Sequence, residues 1–302
     1  MYIAARSTFR DGGRTNALFY AAERFGAHFQ PAHFYSPVPN TATIPTAAFT
    51  QTYDHVQGLE LDVEAHTRWL HALAGFATAL GEVREDNSEP DAALFYWRNS
   101  QLAATDAILY YCLIRHLQPR RVVEIGAGNS SMIAALALRA NGAGDLTCVE
   151  PYPSLPLRTL VQRGDATLIE QFVQDVPMET FDALDANDIR FIDSTHVSAI
   201  GSDVNHEVFR ILPRLKPGVM VHVHDIFHPN EYPERWVKEE RLFWNEQYLV
   251  MAFLAYNSAF RIEFSSRYIE TALGDVYQEL FSGGHPSGFP VGGGSLWIRK
   301  VA

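Results

Sequence analysis

Arg121-Val122-Val123-Glu124-Ile125-Gly126-Ala127-Gly128-Asn129-Ser130-Ser131 is the stretch that decides the fold. A short apolar run ends in glycines at 126 and 128, and residues 130–139 are strongly helical, so the chain reads strand, glycine turn, helix. Residues 146–150 supply the next strand and complete a β-α-β unit. The alternation then repeats, with strands expected over 167–173, 189–193 and 218–224 and helices near 203–215 and 241–257. Such alternation implies an α/β, doubly wound, mostly parallel sheet covered by helices on both faces. The tail differs: residues 261–264 and 295–301 read as strands, separated by Gly283-Gly284 and Gly292-Gly293-Gly294. This predicts an antiparallel C-terminal hairpin of two edge strands joined by a long loop.

Upstream of Arg121 the pattern is irregular. Leu61, Ala65, Trp69, Leu70, Leu73, Phe76 and Leu80 recur at helical spacing, with Asp62 and Glu64 suited to the amino end of that helix. A second helix follows Thr105-Asp106 and is stopped by Pro119. Phe34 to Asn40 carries two prolines and reads as an extended loop. We therefore expect residues 1–90 to form a helical and loop cap contributing to a substrate pocket, and residues 91–302 to form the catalytic domain.

Composition narrows the function. The chain has 302 residues, 47% of them hydrophobic and 20% charged, which excludes a disordered or fibrous protein. Its 24 Lys+Arg against 35 Asp+Glu give a net charge of -11, the wrong field for nucleic acid. Residues 1–13 are polar and no apolar run is long enough to cross a membrane, so no membrane partner and a cytoplasmic location are expected. Cys112 and Cys148 read as two buried thiols. Oligomeric state is left open.

The glycine turn lets backbone approach a ligand closely, and the following helix presents unpaired N–H groups to it. Glu150, 24 residues past Gly126, stands where an acid takes both hydroxyls of a ribose. Two strand ends carry further chemistry: Asp193-Ser194-Thr195-His196, and His222-Val223-His224-Asp225-Ile226-Phe227-His228. Strand alternation puts His222 and His224 on one face, so imidazoles and carboxylates converge on one rim. A base beside an acceptor hydroxyl is what such a rim could supply.

As a set, Val122-Val123-Glu124-Ile125-Gly126-Ala127-Gly128-Asn129-Ser130-Ser131, then Val149-Glu150-Pro151, then Leu212-Pro213-Arg214-Leu215-Lys216-Pro217-Gly218 resemble the class I S-adenosylmethionine-dependent methyltransferases over about residues 90–302. The resemblance implies a seven-stranded sheet with a reversed final hairpin. It also implies S-adenosyl-L-methionine as cofactor, with Glu124, Gly126, Gly128, Asn129, Ser130, Glu150, Asp175 and Asp193 around it. Asp193-x-x-His196 after the fourth strand is similar to metal-dependent small-molecule and sugar O-methyltransferases. That likeness implies a divalent cation on Asp193, His224 and Asp225 and a base at His196, with His224-Asp225 replacing the usual acid pair. A nitrogen donor there favours Mn, Fe or Zn, or no metal. The catalytic set expected is His196, Asp193 and His224.

For the substrate, Tyr35, Asn99, His228, Tyr232, Trp236, Trp244 and Asn245 are the expected contacts, with residues 227–236 as a lid and Asp203 as a helix cap or a pocket residue. The polar members of Trp244-Asn245-Glu246-Gln247-Tyr248, at the start of the next helix, either meet the substrate or tie down that lid. The expected activity is methyl transfer to a hydroxyl of a small polar molecule. Two alternatives stay open: esterification of a small acid without a metal, and an NAD-dependent oxidoreductase on the same glycine turn. Against the second, the dinucleotide fingerprint wants Gly or Ala at 131 and finds Ser131.

Overall fold

A computed structural model describes residues 12–28, 35–53, 56–87 and 93–302. The chain divides into two compact units. One comprises Met1–Gln51 with Tyr232–Phe243, the other Thr52–Glu231 with Trp244–Ala302. The boundary expected at 90/91 falls outside the described residues, as do Phe34 of the proline loop and most of the polar start.

In the first unit, helix α1 (Gly12–Glu23) is followed by a short 3-10 turn, Thr46–Thr50. Residues 232–243 are tied to that turn region: Thr46 Oγ1 donates to Glu234 at 2.9 Å, Arg241 donates to Thr41 Oγ1 at 2.6 Å, and the Lys238 ammonium lies 5.5 Å from the Phe49 ring centre. The expected lid, residues 227–236, is therefore split between the units.

The second unit is built on seven strands: β1 Arg121–Ile125, β2 Asp145–Val149, β3 Thr167–Ile169, β4 Ile189–Ile192, β5 Met220–Val223, β6 Phe260–Ser265 and β7 Leu296–Lys300. Their order is β3-β2-β1-β4-β5-β7-β6; β1 to β5 are parallel and β7 runs antiparallel to both its neighbours. The antiparallel tail is as expected, with one refinement: β7 lies inside the sheet and only β6 is an edge. Alternate residues of each strand enter separate cores. Val122, Ile189, Phe191, Met220 and Trp297 face one, while Val123, Ile192, Val221, Val223 and Ile298 face the other. A parallel strand buried on both faces is mostly apolar, and the exceptions here, Glu124, Arg190 and His222, are each buried against a hydrogen-bond partner.

The helices of this unit are α2 (Val63–Ala74), α3 (Ala104–Leu117), α4 (Asn129–Asn141), α5 (Leu155–Gln162), α6 (Glu179–Asp182), α7 (Asp203–His206), α8 (Glu246–Leu254), α9 (Ser266–Ala272) and α10 (Gly274–Phe281). Asp62 caps α2 by accepting from the N–H groups of Glu64 and Ala65. Trp69 of α2 donates its indole N–H to Glu263 on β6 at 3.0 Å, so α2 packs with the sheet unit.

Four expectations change. Residues 59–80 form α2 and then a separate 3-10 turn, Ala77–Leu80, because Gly75 ends the helix. The third strand stops at Ile169, where Gln171 N–H turns back to the Ile169 carbonyl. Residues 203–215 form one α turn, a π turn over Glu207–Ile211 and a 3-10 turn whose proline bars α geometry. The glycine-flanked stretch before β7 is not one loop. It holds α9 and α10, whose Ile269, Tyr277 and Phe281 fill the core.

Candidate active site

The chain winds outward from β1 to β3 and then crosses to β4, so β1 and β4 flank the point where the sheet changes direction, the usual ligand crevice of such sheets. Gly126 leaves β1 at φ +74°, and a Cβ there would sit 1.7 Å from the Asp193 carbonyl oxygen, inside any contact limit. Glycine at 126 is thus what allows β1 and β4 to lie side by side at the crevice. Gly128 is different: a Cβ on it would meet nothing nearer than Gln101 Oε1 at 3.9 Å. It precedes α4 without a side-chain cap, leaving the first N–H groups of a 13-residue helix for a ligand. Asn129 donates to Gln101 at 3.0 Å across the mouth of this turn.

Glu150 closes the turn from β2. One oxygen accepts from Ala127 N at 3.3 Å and the other from Tyr152 N at 2.8 Å, which fixes the carboxylate beside the glycines. Tyr152 and Phe172, both exposed, meet edge to face at 5.9 Å beyond the ends of β2 and β3. The sequence offered this aromatic pair no motif, although Tyr152 directly follows Glu150-Pro151. Asp175 is exposed in the turn after β3.

Glu124 does not face the crevice. It is fully buried, on the core face of β1, where it accepts from Tyr110 Oη at 2.8 Å and from Ser131 Oγ. Burial pushes its carboxyl up to about 7, against the pull of those hydroxyls and of Ser130. Glu124 and Ser130, expected at the cofactor, are thereby joined to each other beneath the turn, and Ser131 joins α4 to β1 instead of offering a dinucleotide contact.

The ends of β4 and β5 form the second half of the crevice. His196 is buried, at φ +61°, and its Nε2 lies 3.2 Å from Asp193 Oδ1 and 3.6 Å from Asp225 Oδ2. Its Nδ1 donates to Glu246 Oε2 at 2.9 Å, and Trp244 packs on the ring at 4.3 Å between centres. Burial opposes charge on this ring, but the carboxylates of Asp193 and Glu246 dominate and push it up to about 10. Burial raises the Asp225 and Glu246 carboxyls; for Asp193, His224 and His196 outweigh burial and hold it below its usual value. His224 Nε2 is 3.8 Å from Asp225 Oδ1. Burial disfavours its charge too, yet Asp225, Asp193 and Asp106 raise its pKa. Asp106, in the first turn of α3, accepts from Gly294 N at 3.0 Å, and Gly294 in turn accepts from Ile226 N at 2.8 Å. The glycine stretch before β7 is the clasp between α3 and the end of β5: a Cβ on Gly293 would collide with the Asp106 carboxylate.

Asp193, His196 and Asp225 each offer one donor atom, all within 4.8 Å of one another. Two oxygens and one nitrogen suit a divalent cation, the charged groups acting on the half-buried Asp225 being histidines and carboxylates among the described residues, and a nitrogen donor tilts such a set toward Mn, Fe or Zn over Mg. Of the expected ligand set, Asp193 and Asp225 group with His196 Nε2, while His224 Nε2 stands 3.8 Å from Asp225 Oδ1.

Several expected substrate contacts have other work. Asn99 spends its amide in a turn, accepting from Gln101 N and Leu102 N and donating to the Tyr96 and Trp97 carbonyls. His228 is buried with Nε2 against the Leu59 carbonyl at 2.8 Å. His222 shares a face with His224 but lies one pleat deeper, stacked on Phe191 at 4.0 Å, and burial drives its pKa well down. Asn245 locks the β4 loop, accepting from Ser198 N and donating to Ser198 O. Asp203 is not the cap of α7; Ser202 is, and Asp203 accepts from Thr195 N at 2.9 Å and Thr195 Oγ1 at 2.6 Å. Gln247 and Tyr248 tie down the loop after β5: Gln247 accepts from Phe227 N and donates to Asn230 O, and Tyr248 donates to Glu231. Trp244 stays at the site. Tyr35, Tyr232 and Trp236 belong to the first unit. Glu246 was expected only as one polar member of Trp244-Asn245-Glu246-Gln247-Tyr248; its pairing with His196 was not anticipated, since nothing in that stretch marks one member above the rest.

Comparison with known proteins gives three kinds of likeness. Residues 123–226 match a family model described as a methyltransferase domain. An uncharacterized protein of Archaeoglobus fulgidus is 33% identical over 171 residues, 54% of this chain and 76% of that protein. Among solved structures, the O-methyltransferase TomG of Streptomyces achromogenes, involved in tomaymycin synthesis and solved with S-adenosylmethionine, is 19% identical with a TM-score of 0.42, over 78% of this chain and 97% of that one. The plantazolicin methyltransferase BpumL is 15% identical with a TM-score of 0.45, over 80% and 100%.

Proposed function

We propose that this chain, whose residues 123–226 match a methyltransferase domain, is an S-adenosylmethionine-dependent O-methyltransferase acting on a hydroxyl of a small polar molecule. The observation that carries the reading is the position of His196, whose Nε2 faces two carboxylates at the switch point while Nδ1 is anchored behind it.

Gly126, Gly128, Asn129 and Glu150 would take the cofactor: the open face of Gly128 and the uncapped helix start accept its amino-acid end, and Glu150 its ribose hydroxyls. Tyr152 and Phe172 would flank the adenine, with Asp175 at its edge. The acceptor oxygen attacks the sulfonium methyl, the C–S bond breaks as the O–C bond forms, and the hydroxyl proton passes to Nε2 of His196. The neighbouring carboxylates of Asp193 and Glu246 stabilise the imidazolium that results. A divalent cation would be held by the carboxylates of Asp193 and Asp225, with His224 alongside and His196 Nε2 left free for the acceptor's proton, and would lower the acceptor hydroxyl's pKa. With the proton already on Nε2 the ring is no base, so in the cation-free protein transfer requires pH high enough to deprotonate it.

Esterification of an acid fits less well. A carboxylate acceptor wants cationic partners left over for it, whereas among the described residues the cations paired here are His196 and His224, already matched by Asp193, Asp225 and Glu246. The test is incubation with methyl-labelled S-adenosylmethionine and panels of small hydroxyl and carboxyl compounds, with and without chelation. Label on a hydroxyl, lost in His196→Ala, is expected. Label on a carboxylate that survives chelation and His196→Ala would favour esterification, and binding of NAD without S-adenosylhomocysteine would overturn both.

A further inference from the structure

We propose that Glu246 is a positioning residue for methyl transfer, holding the His196 ring by Nδ1 so that Nε2 presents its lone pair to the acceptor; the proposal rests on the reading of His196 as the base. Glu246 is buried at the first position of α8. One of its oxygens takes the His196 Nδ1–H at 2.9 Å, the other accepts from Ser194 Oγ at 3.4 Å. The same corner grips the main chain: the N–H groups of Asn245 and Glu246 both donate to the His196 carbonyl, at 3.0 and 3.1 Å.

His196 is therefore clamped through backbone and ring by one helix start. The clamp is set against a conformational cost, because φ +61° lies in a region that costs a side-chain-bearing residue on the order of 1 kcal/mol or more. Trp244 packs against the ring at 4.3 Å between centres, tilted by 42°. A buried ion pair is at best neutral for stability against apolar packing of equal volume, so stability alone gives little reason to place a carboxylate here. Orientation does. Because a carboxylate only accepts, it keeps the proton on Nδ1, so once the ring gives up its other proton the lone pair is left on Nε2, the nitrogen facing Asp193 and Asp225. When the acceptor's proton arrives on Nε2, the charge formed lies against Glu246.

The test is ring-nitrogen NMR on the full chain labelled with 15N-histidine, saturated with S-adenosylhomocysteine, with the His196 signals assigned by their loss in His196→Ala. The wild type is expected to show a protected Nδ1–H proton. Glu246→Ala should expose it to solvent exchange at least about tenfold faster, the loss of one hydrogen bond. Glu246→Gln, which keeps an acceptor but not the charge, should retain the proton at a shifted frequency, and S-adenosylhomocysteine affinity should hold in both variants. An unchanged Nδ1–H signal in Glu246→Ala would overturn the proposal. If that variant does not fold, an unchanged signal in Glu246→Gln would do so. Failure of the wild type to bind S-adenosylhomocysteine would overturn the cofactor reading, a separate result.

Discussion

The two halves of the crevice are built by different means. At the ends of β1 and β2 the working parts are backbone: two glycines, an uncapped helix start and one acid pinned by main-chain N–H groups. At the ends of β4 and β5 they are side chains whose charges shift one another, with His196 at the centre of Asp193, Asp225 and Glu246. The difference teaches where each half is vulnerable. The backbone half fails through sterics and folding, and the side-chain half through chemistry with the fold intact.

The largest effect should come from the side-chain half. His196→Ala is expected to lower methyl transfer by roughly 10²–10⁴-fold, the usual contribution of a general base, with cofactor affinity within a few-fold of wild type by calorimetry. Without added cation, wild-type transfer should rise with pH toward the value of about 10 to which the carboxylates push His196, and added Mn²⁺ should move the rise to lower pH. A flat profile would break the assignment.

On the backbone side, Gly126→Ala should destabilise by about 3 kcal/mol or more in denaturant melts, since the new Cβ meets the Asp193 carbonyl at 1.7 Å and φ is +74°. Gly128→Ala should melt within about 1 kcal/mol of wild type and lose cofactor affinity, because its space is open for a ligand rather than filled by the chain. Equal melting of the two variants would erase the contrast.

Beneath the turn, Glu124 makes stability depend on pH. Its carboxyl is at about 7 when folded against 4.5 for the free residue, so the unfolded chain gives up its proton first and stability falls as pH rises between those values. The expected fall is on the order of 3 kcal/mol, and Glu124→Gln should remove it in melts at pH 5 and 7.5. The smallest effect should be Phe172→Ala, weakening S-adenosylhomocysteine binding by roughly 1 kcal/mol with no change in the pH profile.

The backbone half was the legible one. Glycine, strand and helix signals are local, and Glu150 follows them at a fixed distance, so residues 121–150 could be read without knowing the rest of the molecule. Depth was not legible: Glu124 looked like a crevice acid, but strand alternation sends its side chain to the core side of β1, to Tyr110 and Ser131. The side-chain half depends on contacts between distant segments. His196 and Asp193 announced themselves by spacing, whereas Glu246 comes from 50 residues away along the chain to the same ring. His222 and His224 show the limit sharply. The period of two that places them on one face says nothing of depth, and one pleat separates a ring stacked on Phe191 from one among carboxylates.

The division of labour is tested most directly by titrating S-adenosylhomocysteine into wild type, Glu150→Ala and His196→Ala. Glu150→Ala should weaken binding at least about tenfold, the loss of a charge-assisted hydrogen bond, while His196→Ala binds as wild type does. Unchanged binding in Glu150→Ala, or its collapse in His196→Ala, would contradict the account.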